Sequence, residues 1–302
     1  MTRTPRAARG ARRAAARACA VSAALACVLG CGGPSRKLDE ATTLEREQRP
    51  REALALYQAA LGELGDGPMD GDAAQLRLSA IRRAADIAYL QTGDYPAAVA
   101  YYRRVVALAP GTPEARAARV TIAEIYRERF KDPQGAIAQW AAIAQEGGPA
   151  GAAPGQLQVA RLYLEAGDPG QARTEARILR EKWPQAPEAA EAQLVTVQAF
   201  AQERKVEDAV RAAEAASAAW PARPATARAL ETVATLLAQD GRLERAEALY
   251  ARAVAGHPNP QAVETSLAAV RRRREAKGVA RPGDRAAALD HHLPKQKEHQ
   301  HP

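Results

Sequence analysis

The sequence predicts an all-α fold, a solenoid of about six helical hairpins closed by a C-terminal capping helix, and three observations predict it. From Arg36 to Lys277 the chain is rich in alanine and places apolar residues at i, i+3, i+4 and i+7, the spacing of one helix face. The alternating β-branched runs that mark strands are missing. Proline pairs recur on a fixed period: Pro184 with Pro187, Pro221 with Pro224 and Pro258 with Pro260 begin 37 residues apart, and Pro110 with Pro113 begins twice that distance before Pro184. One hairpin cannot bury its apolar face alone, so a period in this range implies stacked neighbours sharing a continuous core.

The first element, residues 1–30, is not part of that core. Six arginines (Arg3, Arg6, Arg9, Arg12, Arg13, Arg17) precede Ala18 to Gly30, thirteen residues without charge, in the order of a secretory signal. The apolar run is shorter than the roughly 20 residues that span a bilayer. The run Val28-Leu29-Gly30-Cys31 resembles the bacterial lipoprotein signal, in which a small residue precedes a cysteine that is lipidated on sulfur and becomes the mature N-terminus. Ordinary cleavage after Ala24-Leu25-Ala26 is the alternative, and would leave Cys27 and Cys31 as thiols of a soluble periplasmic protein. The pair Arg12-Arg13 lacks the apolar residues that follow a twin-arginine export signal. On the lipoprotein reading residues 31–36 are a lipid-anchored tether. Gly32 stands where the enteric inner-membrane retention signal has aspartate, so the resemblance implies the periplasmic face of the outer membrane.

Two consequences follow for chemistry. All three cysteines (Cys19, Cys27, Cys31) lie in this segment, so the body carries no thiol for a disulfide, a zinc site or a nucleophile. Losing six arginines and no acidic residue takes the formal charge from +8 to +2, which removes the main support for nucleic-acid binding.

Residues 37–260 carry the repeats. A second phrase recurs between the proline pairs: Gly93-Asp94-Tyr95-Pro96-Ala97-Ala98, Lys131-Asp132-Pro133-Gln134-Gly135-Ala136, Gly167-Asp168-Pro169-Gly170-Gln171-Ala172 and Gly241-Arg242-Leu243-Glu244-Arg245-Ala246, with Lys205 to Ala209 a degenerate copy. A glycine or polar turn closes one helix, and aspartate or proline opens the next, where amides are unpaired and the dipole is positive. Glu207-Asp208 belongs to such a helix start. The stretch Gly93 to Pro110, with its Gly-Asp-Tyr-x-x-Ala-x-x-Tyr-Tyr phrase and later proline, resembles the second half of the tetratricopeptide repeat. Aligning Ala53, Ala98, Ala136, Ala172, Ala209 and Ala246 gives six helix pairs. The last four intervals, 36 to 38 residues, exceed the family's 34. Ala85, Ala123 and Ala160 occupy first helices that lack the family's usual Trp and Leu-Gly. Longer, proline-linked repeats of this kind are similar to those of envelope-assembly lipoproteins. The 45-residue first interval contains Gly62 to Gly71, read as an inserted loop.

Residues 261–278 read as the helix that covers the last repeat's apolar face, with Arg271 to Arg274 a solvated end. Residues 279–302 read as a disordered tail holding His291, His292, His299 and His301, too flexible for a selective metal site. Trp140, Trp183 and Trp220 read as core or hinge packing.

No nucleophile arrangement, phosphate-cradling loop or spaced metal cluster stands in the repeats, so neither an enzyme, a metal nor a cofactor is expected. The family resemblance implies a right-handed solenoid whose concave face, lined by first helices, binds partners. On the register above that face includes Arg83, Ile87, Glu124, Arg127, Arg161, Leu164, Gln198 and Glu231. Mixed Arg, Glu and apolar residues suit a segment of another protein, and the Lys and Asn set that clamps a C-terminal carboxylate in some relatives is missing. The expectation is a lipid-anchored scaffold for an envelope protein, in barrel assembly, pilus secretin assembly or wall synthesis. A peptidoglycan- or polysaccharide-binding module is the alternative. An aromatic content of 4% counts against it, since sugar faces favour aromatic platforms.

Overall fold

The computed structural model describes residues 33–68, 70–146 and 148–279. Thirteen α-helices and no strand form among them: α1 (Pro34–Arg46), α2 (Pro50–Leu64), α3 (Gly71–Asp86), α4 (Tyr95–Leu108), α5 (Pro113–Ile125), α6 (Pro133–Glu146), α7 (Gly148–Glu165), α8 (Pro169–Lys182), α9 (Glu188–Gln202), α10 (Val206–Ala219), α11 (Pro224–Gln239), α12 (Leu243–Val254) and α13 (Pro260–Val279). In chain order α1 to α12 make six helix–turn–helix pairs, and α13 follows the last. No described helix is long and apolar enough to cross a membrane. The chain divides into two compact units, residues 1–139 and 140–302, with the boundary inside α6. Cys31, the signal segment and the histidines of the tail lie outside the described residues.

The recurring phrase works as helix chemistry demands. Asp94, Asp132 and Asp168 each accept the backbone N–H three residues on, at 3.1, 2.9 and 2.9 Å, which satisfies one amide of the opening turn. The preceding turn is left-handed: Gly93 has φ +67°, while Lys131 and Arg204 stand at the same point of their repeats with φ +54° and +59°. The proline phrase is equally regular. Ala109, Trp183 and Trp220, each just before a proline, share φ between −132° and −138° and ψ between 55° and 61°, and each donates its N–H four residues back.

In the first unit, Tyr57, Ile81, Ile87, Ile122 and Ile125 fill the core, and Ala53, Ala60, Ala84, Ala88 and Ala98 are fully buried where helices meet. Each large side chain contributes about 1.5–3 kcal/mol on burial, and the alanines let the backbones approach. Pro34 to Arg36, within the stretch read as tether, form the first turn of α1, where proline's fixed φ suits the helix. Lys37 is already buried there and pairs with Glu63 of α2. The inserted loop is shorter than its composition suggested, because α2 continues through Gly62 to Leu64. Arg77 of α3, 4% exposed, pins that loop by donating from Nη1 to the carbonyls of Gly65 (3.0 Å) and Gly67 (2.7 Å). The first helices of the second and third pairs end in wide π turns, Ile87–Thr92 and Tyr126–Phe130.

In the second unit, Leu179, Val195, Val197, Val233, Leu237 and Val263 are the largest fully buried side chains. Helix α9 is buried along most of its length, and its Gln193 donates from Nε2 to the Ala212 carbonyl at 2.7 Å. Helices α6 and α7 approach so closely at Gly155 that an added Cβ would lie 2.8 Å from the Ala144 nitrogen. Val263, Leu267 and Val270 of α13 cover the last pair. The end of α13 is not simply solvated as expected: Arg271 and Arg274 both reach Glu247 of α12, at 3.0 and 2.6 Å, so the arginine run helps to seat the cap.

Several ion pairs join residues 38 apart: Glu45 with Arg83 and Asp66 with Arg104 in the first unit, Glu207 with Arg245 and Glu214 with Arg252 in the second.

Candidate functional site

The first unit presents Arg83, Glu124 and Arg127 at its surface. Arg83 Nη1 lies 3.3 Å from Glu45 Oε2, and the other Glu45 oxygen accepts the Tyr57 hydroxyl. Burial and that hydrogen bond push the Tyr57 phenol up to about 12. Tyr102, buried and donating to Asp86 at 2.7 Å, is raised for the same two reasons. Both phenols are neutral in the folded protein, so their stabilisation is fully present below the ordinary tyrosine pKa near 10 and declines above it, the Tyr57 share being lost as pH rises through about 12. Helical circular dichroism should therefore fall across about pH 10 to 12, and Tyr57→Phe should flatten the Tyr57 share of that fall. A fall of the same size in the Phe variant would refute the assignment.

Ile87 does not belong to the surface. It is 1% exposed in the core, because it continues the inward stripe Ala80-Ala84-Ile87 at i, i+4 and i+7. Instead the π turns gather a group of aromatic and apolar side chains at this surface. Tyr89 meets Tyr95 edge-on at 6.2 Å, Arg129 sits 5.0 Å over the Tyr95 ring, and Tyr126 packs on Phe130 at 5.6 Å. Leu90 and Phe130 are 72% and 39% exposed. Glu124 faces this group: burial first, then the Glu124 charge, raises the Tyr89 phenol.

The second unit presents its site on the first helices α7, α9 and α11. Arg161 Nη2 lies 2.9 Å from Glu191 Oε2, and Arg228 Nη1 lies 3.7 Å from the same oxygen, so one carboxylate bridges arginines of the helices on either side. All three side chains are partly exposed. Beside this ladder is a cleft of about 390 Å³ lined by Leu157, Arg161, Glu188, Glu191, Arg223 and Pro224 among others. A second cleft, about 370 Å³, is lined by Arg204, Glu231, Thr232, Thr235 and Gln239 among others. His257 lies beside Glu231, its Nε2 2.9 Å from Oε2 without hydrogen-bond geometry, while Nδ1 accepts the Asn259 N–H at 3.0 Å. Arg204 is fixed by Gln239 and Asp240, both at 2.9 Å. Leu164 is half-buried against the core and Gln198 is half-buried on α9.

Of the residues expected at the site, the structure brings Arg161 into the ladder and Glu231 into the second cleft. Glu191 and Arg228 were not anticipated, although they stand 37 apart at one register of the repeat. Among the described residues no group of three His, Cys, Asp or Glu is placed to hold a metal ion.

The chain matches the tetratricopeptide repeat model over residues 87–152, 157–221 and 197–263. A search of curated proteins finds no match. Among solved structures, the C-terminal part of a TPR repeat-containing protein from Cytophaga hutchinsonii is similar at 12% identity and a TM-score of 0.51, over 79% of this chain and 89% of that one. A tetratricopeptide repeat protein from Parabacteroides merdae is similar at 11% identity and a TM-score of 0.42, over 78% and 98%. PilW, a type IV pilus biogenesis factor, is similar at 16% identity and a TM-score of 0.45, over 78% and 98%. With the repeat model matching more than half of the residues and the described helices forming six successive pairs, the chain belongs to the tetratricopeptide repeat family.

Proposed function

We propose that this chain is a non-catalytic, lipid-anchored scaffold at the periplasmic face of the outer membrane, holding a segment of another envelope protein against its first helices. The lipidation reading is supported by the Arg-rich and apolar run that ends at Gly30-Cys31. The binding reading is carried by the Arg161–Glu191–Arg228 ladder between two open clefts. Partly exposed ion pairs contribute about 0–1 kcal/mol each, so the ladder adds little to stability, and its groups are free to exchange partners at small cost. Alternating charge beside apolar Leu157 and Pro224 matches a peptide segment with both charged and apolar side chains. Assembly of envelope machinery, with outer-membrane barrels first, is the setting we favour.

Crosslinking and affinity recovery from fractionated membranes test this, with the full-length protein beside Cys31→Ala and Glu191→Lys. Outer-membrane recovery of one stoichiometric protein is expected. Cys31→Ala should displace the complex from the membrane, and Glu191→Lys, which sets a third cation between Arg161 and Arg228, should lower recovery at least tenfold. No stoichiometric protein with either wild type or variants would sink the proposal, and sedimentation with purified sacculi would then favour glycan binding.

A further inference from the structure

We infer that the edge of the first unit where α1 begins lies on the bilayer surface, so that the first hairpin is held close to the membrane by a very short link. The placement rests on lipidation of Cys31, proposed above. Between Cys31 and the helix stand only Gly32 and Gly33, and Pro34 is already in the first turn of α1. Three peptide steps span at most about 11 Å, so the start of α1 cannot leave the headgroup region.

What else shares that edge follows from contacts. Lys37 near the start of α1 pairs with Glu63 near the end of α2, so the 65–70 loop leaves α2 on the anchored side. Arg77 fixes that loop through Gly65 and Gly67, and Arg104 near the end of α4 pairs with Asp66 at 2.8 Å. The last turn of α4 therefore lies on the same edge, and it carries Leu108, an exposed apolar side chain of the kind that rests among headgroups. The opposite edge holds the π turns. Leu90 is 19 residues along from Gly71, about 28 Å of helix, so the exposed aromatic and apolar group points away from the membrane and stays open to a partner.

The cysteine distribution makes the test direct. Cys19 and Cys27 leave with the signal and lipidation occupies the sulfur of Cys31, so one introduced cysteine is the only free thiol. Ser35→Cys, Gly67→Cys and Leu90→Cys are suited to labelling: Ser35 and Leu90 are exposed, and a Cβ at Gly67 meets nothing within 4 Å. The full-length precursor is processed in cells, purified, labelled with bimane and reconstituted in phosphatidylethanolamine and phosphatidylglycerol vesicles bearing headgroup nitroxides. Quenching at Ser35 and Gly67 is expected to exceed that at Leu90 at least threefold. Acylated protein, verified by mass, with equal quenching at all three sites or more at Leu90 would overturn the placement alone. Absence of the acyl group would remove the lipidation reading and the placement together.

Discussion

Gly155→Val is expected to lower the stability of the second unit by about 3 kcal/mol, against the trend that replacing a helical glycine helps. Alanine in place of glycine inside a helix is worth about 1 kcal/mol through backbone entropy and propensity. At Gly155 that gain is outweighed. The Cβ would meet Ala144 N at 2.8 Å and Ala144 Cα and the Trp140 carbonyl at 3.1 Å, and all three are main-chain atoms of α6 that cannot swing aside. Even Gly155→Ala should therefore be a net loss of about 1 kcal/mol, and the two methyl groups of valine deepen the clash. Gly62 is the control. It lies in α2 with open space where its Cβ would be, so Gly62→Ala should gain about 0.5–1 kcal/mol. Urea unfolding followed by tryptophan fluorescence reads the Gly155 variants, because Trp140, Trp183 and Trp220 all lie in residues 140–302, and helical circular dichroism reads the Gly62 control in the first unit, which holds no tryptophan. An unchanged midpoint for Gly155→Val would show that α6 and α7 do not cross as described.

Leu237→Ala should cost about 3 kcal/mol, within the usual 2–5 for a leucine cut back in a closed core. Leu237 is wholly buried on α11, packed in one cluster with α12 and the capping helix. Stability in a repeat array is close to a sum of hairpin terms and nearest-neighbour contacts. The loss should thus concentrate in the last pair and α13. Amide hydrogen exchange is expected to rise most in α11, α12 and α13 and least in α8. Uniform loss of protection across the second unit would mean that it unfolds as one block, and would contradict a local effect.

How much was readable beforehand differs by the range of the interaction. Hairpin number and turn chemistry were legible because they are set within four residues: Asp94, Asp132 and Asp168 cap the helices that their phrases announce. Ile87 was misassigned because its exposure depends on which face of α3 meets α4, and the residues beside it are alanines whose spacing fits more than one face. The grip of Arg77 on the inserted loop had no local signal, since an arginine reads as surface until its buried carbonyl partners are known. Glu191 and Arg228 had a usable signal in their 37-residue offset. That signal lies in the charge at equivalent positions of first helices, not in their apolar pattern.

The ion pairs set 38 residues apart have a consequence for how the chain avoids errors during folding. Successive hairpins are alike in shape, so a hairpin that stacks on the wrong neighbour would bury nearly as much apolar surface as one that stacks correctly. Charge separates the two outcomes. Arg252 meets Glu214 in the native order, at 2.7 Å. Had the last pair skipped a neighbour and docked one repeat earlier, the residue at the position equivalent to Glu214 would be Arg177, 37 residues back, and attraction would become repulsion. Each exposed pair is worth at most about 1 kcal/mol, too little to hold hairpins together, yet a change of sign doubles the difference between docking arrangements. At this one position charge thus favours the native neighbour, while the alanine-lined core supplies the adhesion.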